Sequence, residues 1–120
     1  MRCYAPPVSS MRADDRVRLV HMIDAAEAVG DFMAGRSRAD LDSNRMLLFA
    51  VVRAIEVLGE AAARVSDETR RTMPDIPWNA IVGMRNRLVH GYFNIDVAIV
   101  WKTVTDEIPA LLQKLSTLGL

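Results

Sequence analysis

The chain has 120 residues, of which 51% are hydrophobic and 25% charged, and its formal net charge at pH 7 is +0. This length and composition predict one folded domain and exclude a disordered polar chain. The balanced charge argues against coating nucleic acid over a broad basic surface, although a local basic pocket is still allowed.

The residues that could cross-link the chain or bind zinc are few and widely spaced. Cys3 is the single cysteine, so no intrachain disulfide can form, and one thiol with His21 and His90 does not make a structural zinc site. No apolar run reaches the roughly 18 residues of a membrane helix, and residues 1–10 lack the apolar stretch of a secretory signal. We therefore expect a cytoplasmic protein without a membrane segment, metal site or cofactor.

The first ten residues are predicted to be a disordered tail. Pro6 and Pro7 are followed closely by Ser9 and Ser10, and this composition disfavours a helix. The helical domain is accordingly predicted to span residues 11–120.

A first helix is predicted from about Asp14 to Ala34, because apolar residues recur there at spacings of three and four. Those residues are Leu19, Met22, Ile23, Ala26, Val29 and Met33. Asp14 and Asp15 suit the positive end of the helix dipole, and Gly35 is a suitable stop. Residues 36–39 are predicted to form a polar loop.

A longer second helix is predicted from about Asp42 to Val65, again from a wide apolar stripe. Gly59 lies in its last third, where glycine costs helix stability, so we expect it to mark a close contact with another helix. Glu60 follows on this largely apolar helix. Two interpretations of Glu60 carry equal weight: the carboxylate has a buried or interface partner, or it faces water.

Two shorter elements are predicted next. Ser66 is expected to cap a short helical turn over residues 67–71. Another helix is predicted from Pro77 to His90, because a proline in the first turn lacks only an N–H that has no helical partner. Gly91 is typical of the residue that follows a helix end.

The last helix is predicted to begin at a cap formed by Asn94 or Asp96 and to run to about Leu118, with Pro109 kinking or dividing it. No segment shows a useful strand-like alternation. The chain is therefore predicted to be all-α, a four- to five-helix antiparallel bundle with short loops.

Three other side chains have both a functional and a structural interpretation. His21 lies beside the apolar stripe of the first helix and is expected to be a surface histidine, or one with its hydrogen bonds satisfied, rather than a ligand. Trp78 and Trp101 lie at helical spacings, so we expect them in the core rather than as platforms for nucleobases.

The stretch that is most informative about chemistry is Met84-Arg85-Asn86-Arg87-Leu88-Val89-His90-Gly91-Tyr92. On an ideal helix Asn86 and His90, four residues apart, share one face, whereas Arg85 and His90 are about 140° apart. Arg85 and His90 could meet if the helix unwinds at Gly91, or if two copies of the chain face each other across a composite site.

These residue types match the needs of metal-independent phosphodiester cleavage. A base must take the 2′-OH proton, an acid must protonate the leaving oxygen, and a cation must hold the phosphate. His90 suits the proton transfers and Arg85 suits the phosphate. Asn86 could orient the imidazole or donate to the phosphate, and Arg87 is a second candidate for contacting it.

The alternative is that Arg85 and Arg87 are solvated surface charges and that His90 caps the C-terminus of a helix, where a cation is favourable. On spacing alone this alternative is favoured, because such short patterns have many false positives.

The pattern Arg85-x4-His90 resembles the R-x4-6-H ribonuclease motif of the HEPN superfamily, and Arg85-x4-His90-x-Tyr92 is similar to the R-x4-H-x-Y form of its HepT toxins. Three other segments are similar to that family: Leu58-Gly59-Glu60-Ala61-Ala62, Pro74-x-Ile76-Pro77-Trp78 and Tyr92-Phe93-x-Ile95-Asp96. The resemblance covers about residues 11–118.

This resemblance implies a HEPN-like bundle that forms a homodimer and brings two copies of the motif into one cleft. It implies a metal-independent endoribonuclease toxin of a toxin–antitoxin pair, with RNA as substrate, in which Arg85 and His90 are catalytic and Asn86 supports them. It also implies a partner antitoxin, a minimal nucleotidyltransferase of the MntA type, which silences the toxin by AMPylation of Tyr92.

Two other functions stay open at the level of the sequence. One is a non-catalytic helical subunit that binds nucleotide or RNA as the partner of a nucleotidyltransferase, and the other is a structural dimer without a ligand. The balanced net charge favours the first of these to some degree. The complete Arg85-x4-His90 pattern counts against it, because a pure adaptor does not need the histidine.

Overall fold

The structure, a computed structural model, describes residues 11–91 and 94–120, so the tail predicted for residues 1–10 lies outside the described residues. Within them the chain is all-α apart from one pair of two-residue strands, which confirms the predicted fold class. The elements in chain order are α1 (Ala13–Met33), α2 (Arg38–Ser43), α3 (Arg45–Ala63), α4 (Asp67–Thr72), α5 (Trp78–Val82), α6 (Met84–Leu88), β1 (Val89–His90), β2 (Asn94–Ile95), α7 (Val97–Lys102), a π-helical segment (Thr103–Glu107) and α8 (Ile108–Ser116).

The two long helices α1 and α3 form the frame of the bundle and pack against each other. Asp15, in the first turn of α1, accepts hydrogen bonds from the backbone and side chain of Ser66, just beyond the end of α3. The start of one helix therefore lies beside the end of the other, and the two helices run antiparallel, as predicted.

One continuous core joins these two helices to the rest of the chain. Helices α5 and α6 pack on α3, and α8 packs on α1. The large side chains that are almost fully buried come from all of these elements, and they include Leu19, Met22, Val29, Val51, Ile55, Leu58, Ile81, Leu88, Ile108 and Leu115. The apolar stripes read from the sequence are thus the buried faces of the helices.

Among the helices of the described residues, none is long and apolar enough to span a bilayer.

The connection between α1 and α3 differs from the predicted polar loop at residues 36–39. A short helix, α2, begins at Arg38, and the carboxylate of Asp40 accepts a 2.7 Å hydrogen bond from the backbone N–H of Ser37 just before it. The following helix then starts at Arg45, where the Asn44 side chain accepts from Leu47 N–H at 3.0 Å. Side-chain caps that compete with a continuous helix explain the break.

The prediction of one helix from Pro77 to His90 is wrong at Gly83, where the helix is divided, and at its last two residues, which are extended. Helix α5 ends at Val82, Gly83 separates it from α6, and α6 ends at Leu88. His90 then lies in strand β1, which pairs antiparallel with β2. Glycine is a poor helix residue, and the pairing with β2 gives the extended backbone an alternative set of hydrogen bonds.

The C-terminal helical region is less divided than Pro109 suggested. Asp96 caps α7 by accepting from Ile99 N–H at 3.2 Å, and the helical path continues through the π-helical segment into α8, which ends at Ser116. Proline has no N–H for the carbonyl four residues earlier, and a wider π turn just before Pro109 absorbs that loss within the helix.

Candidate active site

The segment that follows Gly83 changes its backbone conformation between Arg85 and His90. Arg85 and Asn86 lie on α6, whereas Val89 and His90 are extended and pair with Ile95 and Asn94. Asn86 and His90 therefore do not share one helical face, and the angle of about 140° expected for Arg85 and His90 on an ideal helix does not apply. The helix end is unwound, but this unwinding does not by itself bring His90 into the cleft of Arg85.

The strand pair holds the backbone around His90 in place. The N–H of Asp96 donates to the carbonyl of Leu88 at 2.8 Å, which closes the pair next to α6. Gly91 follows His90 with φ of 75°, a left-handed conformation that favours glycine. His90 is exposed while its neighbours Leu88 and Val89 are buried, so the imidazole faces solvent from an anchored backbone.

Arg85 and Asn86 line a cleft between α6 and α3. The cleft has a volume of about 400 Å³, and its lining residues are Glu56, Gly59, Glu60, Ala63, Val82, Arg85 and Asn86. Within the described part of the chain, Arg85 makes no hydrogen bond or ion pair through its side chain. A half-buried guanidinium without an ion-pair partner can bind an anion such as a phosphodiester, and the carboxylates of Glu56 and Glu60 line the same cleft.

The close contact predicted at Gly59 is confirmed, and Gly59 is one of the residues that line this cleft. A Cβ atom at Gly59 would lie 3.1 Å from the carbonyl oxygen of Ile81 and 3.6 Å from that of Val82. The absence of a side chain therefore lets α3 approach the backbone of α5. This approach brings the helix face around Gly59 next to Arg85 and Asn86.

Glu60 lies at this cleft with its side chain 64% exposed, which favours the interpretation that its carboxylate faces water. Glu56 lines the same cleft with its side chain 28% exposed, and it was not singled out from the sequence. The four-residue spacing of Glu56 and Glu60 puts both on one side of α3. This spacing is the feature of the sequence that could have pointed to Glu56.

Arg87 points away from this cleft. Its guanidinium donates to both carboxylate oxygens of Glu107 at 3.2 Å and lies within 3.5 Å of the Ala80 carbonyl. A role in phosphate binding would require this ion pair to open. Tyr92, the residue expected to be modified, lies outside the described residues.

His90 is not among the residues that line the cleft of Arg85 and Asn86. The unwinding at the end of α6 thus places Arg85 and His90 in neighbouring but separate surroundings of one chain. Among residues 11–91 and 94–120, no group of three or more His, Cys, Asp or Glu side chains is arranged to hold a metal ion.

His21, Trp78 and Trp101 lie where their structural interpretations predicted rather than at the cleft of Arg85. His21 is exposed at the edge of an apolar groove between α1 and α3. Trp78 is 8% exposed, its Nε1–H donates to the Met73 carbonyl at 3.1 Å, and the Arg70 guanidinium lies 5.6 Å from its ring centroid. Trp101 is partly buried against the core. These positions confirm the expectation that neither tryptophan is an open platform for a nucleobase.

Comparison with known proteins adds independent information. A family model described as "Ribonuclease HepT-like" matches residues 22–118. A protein of Thermococcus cleftensis named "Probable ribonuclease HepT" is 34% identical over 108 residues, which cover 90% of this chain and 98% of that protein.

Two further relatives carry the description "Putative RNase". One, from Methanocaldococcus jannaschii, is 33% identical over 83% of this chain and 92% of its own length. The other, from Caldanaerobacter subterraneus, is 35% identical over 80% of this chain and 86% of its own length. No solved structure matches the chain significantly.

Proposed function

This chain belongs to the HepT-like ribonuclease family of the HEPN superfamily, and from that premise we propose that it is a metal-independent endoribonuclease whose site contains Arg85, Asn86 and His90. The observation that carries the proposal is the cleft at Arg85, where a guanidinium without a carboxylate partner among the described residues lies beside Asn86. His90 follows on an anchored, solvent-facing strand.

Each residue has a chemical role in this proposal. Arg85 holds the non-bridging phosphate oxygens and stabilises the charge that develops on them. His90 takes part in proton transfer to or from the reacting oxygens. Asn86, exposed on α6 beside Arg85, donates to the phosphate or orients the nucleotide.

We further propose that the enzyme is a homodimer in which Arg85 and His90 of both copies line one cleft. The separation of His90 from the cleft of Arg85 supports this arrangement, since a second copy can bring its own His90 opposite. Exposed apolar side chains on α1 and α3 also favour a partner: Met46 is 81% exposed and Phe49 is 49% exposed. Burial of such apolar side chains against a second chain would be favourable, because it removes their surface from water.

Membership of this family supports a proposal about the physiological setting. We propose that the chain is the toxin of a toxin–antitoxin pair, and that a minimal nucleotidyltransferase of the MntA type silences it by adding AMP to Tyr92. An adduct on Tyr92 would carry a phosphate that can compete with the substrate phosphate for Arg85. The adduct would thereby fill the site and neutralise its charge.

Incubation of the purified protein with total RNA in excess chelator tests the central proposal. Wild-type protein should cleave the RNA and leave 2′,3′-cyclic phosphate ends, and His90→Ala should lose this activity. Equal cleavage by His90→Ala would remove the assignment. Binding of RNA without any cleavage by wild-type protein would instead favour a non-catalytic partner of a nucleotidyltransferase.

A further inference from the structure

The cleft of Arg85 has an acidic wall that the motif does not account for. Glu56 and Arg85 line the same cavity from opposite elements, α3 and α6. Glu56 lies three residues before Gly59 and hence on the same side of α3, one turn away. Since Gly59 lets α3 approach the backbone of α5, the position of Glu56 depends on the closest helix contact at the site.

The side chain of Glu56 is less exposed than that of the neighbouring Glu60. Its side chain is 28% exposed, against 64% for Glu60, so less water surrounds its carboxylate. Arg53 lies 3.5 Å from the Glu56 carboxylate and 3.8 Å from that of Glu60, and the Arg53 side chain is itself largely exposed. Such an exposed ion pair is weak, so it leaves the Glu56 carboxylate available to accept a proton.

The chemistry requires a second proton-transfer group. In the transesterification step one group must accept the 2′-OH proton while another, already protonated, donates to the leaving oxygen. In the proposed composite site each Arg85 works with one His90, that of the second copy, and a single imidazole cannot do both in the same step. A carboxylate in the cleft that holds the phosphate is well placed for the first task.

We propose that Glu56 is a further catalytic residue and acts as the general base of the ribonuclease, an inference that rests on the proposed function. The Glu56 carboxylate accepts the proton of the 2′-OH, and the 2′ oxygen forms a bond to phosphorus. The bond from phosphorus to the 5′ oxygen breaks, and that oxygen takes a proton from the His90 imidazolium. The products are a 2′,3′-cyclic phosphate and a 5′-hydroxyl, and both side chains recover their protonation states by exchange with water.

Single-turnover cleavage of a labelled RNA in chelator, measured beside RNA binding, tests this role. Glu56→Gln keeps the shape of the side chain, and we expect it to lower the cleavage rate by roughly 10²–10⁴-fold, the usual contribution of a general base. Binding of the RNA should not weaken, because the lost carboxylate charge repels the phosphate rather than holding it. The matched control is Glu27→Gln, which removes the same charge from an exposed position on α1 outside the cleft and should cleave like wild type.

Chemical rescue separates a base from a structural carboxylate. Added formate should restore part of the activity of Glu56→Ala, since this small carboxylate can enter the vacated space and accept the proton. Formate should not affect His90→Ala. The proposal is overturned if Glu56→Gln cleaves within about threefold of wild type, or if formate fails to rescue Glu56→Ala. Either result with an inactive His90→Ala leaves the proposed ribonuclease standing, whereas equal cleavage by His90→Ala refutes the catalytic role of His90, and no cleavage by wild type refutes the proposed function.

Discussion

The hydroxyl of Thr69 donates a 2.6 Å hydrogen bond to the carboxylate of Asp15, joining residues that are 54 positions apart in the chain. The same carboxylate accepts from the N–H and hydroxyl of Ser66 at 2.9 and 2.6 Å. Burial alone raises the pKa of Asp15, but these hydrogen bonds, with the nearby charge of Arg12, outweigh burial and lower the pKa below its ordinary value of 3.8. The charged carboxylate therefore fastens the start of α1 to the end of α3.

Asp15→Ala should lower the free energy of unfolding by about 2–3 kcal/mol at neutral pH, because three donors lose a buried acceptor. The folded-state pKa lies below the unfolded one, so the contribution of the charged form is complete above pH 3.8 and is lost as pH falls through the folded-state pKa. Urea titrations at several pH values measure this. The exposed neighbour Asp14 is the control, and a difference between wild type and Asp15→Ala that stays constant down to acid pH would contradict the assignment.

Gly59→Ala should destabilise the protein by about 1 kcal/mol, since overpacking against a backbone carbonyl exceeds the gain in helix propensity. The added Cβ would lie 3.1 Å from the Ile81 oxygen. Gly30→Ala is the matched control in α1, because nothing lies within 4 Å of its added Cβ, and it should stabilise the protein by about 0.5–1 kcal/mol. Thermal or urea unfolding measures both, and a gain in stability for Gly59→Ala would show that the helices can separate without cost.

Arg85→Ala should lose about 2–4 kcal/mol of transition-state stabilisation, as expected for a lost charge-stabilising donor. This loss should appear as a lower kcat/KM for RNA cleavage. Arg87→Ala should reduce it by less than about tenfold, because the Arg87 guanidinium is bound to Glu107 and an exposed ion pair contributes little. Steady-state cleavage assays compare the two. Equal losses would show that the ion pair opens and that Arg87 contacts the phosphate.

The composite site can be tested by complementation between two inactive variants. If Arg85 of one copy works with His90 of the other, a mixture of Arg85→Ala and His90→Ala chains should regain cleavage after subunit exchange, because one site of each mixed dimer is intact. Light scattering should give the mass of a dimer at micromolar concentration. Mixed dimers without activity would place both residues in the site from the same chain.

Tyr92→Phe should keep most ribonuclease activity but escape silencing when the protein is co-expressed with a nucleotidyltransferase of the MntA type. The phenol oxygen is the proposed acceptor of AMP and takes no part in the proposed cleavage step. Intact-mass spectrometry of the co-expressed wild-type protein should show one added AMP per modified chain. Wild-type protein without AMP on Tyr92 would end the proposal of silencing by modification.

Much of the fold was determined by the sequence alone. The apolar period of about 3.6 residues predicted α1 and α3, and Leu19, Val29, Ile55 and Leu58 are buried as that pattern required. The cap at Asp96 was also predictable, because such a side chain acts on backbone groups within one turn of itself. Local hydrogen bonding and burial of one face leave a regular trace in the sequence, and these features follow it.

The tertiary structure alone decided the arrangement of the site. Residues 77–90 have a helical pattern, yet Val89 and His90 are extended because strand β2, formed later in the chain, supplies their hydrogen-bond partners. Arg87 is bound by Glu107, twenty residues away, and Glu56 and Arg85 line one cleft beside the contact of α3 with α5 at Gly59. The sequence pointed to candidate side chains, but which of them share one cleft depends on contacts between distant segments, which no local period or spacing encodes.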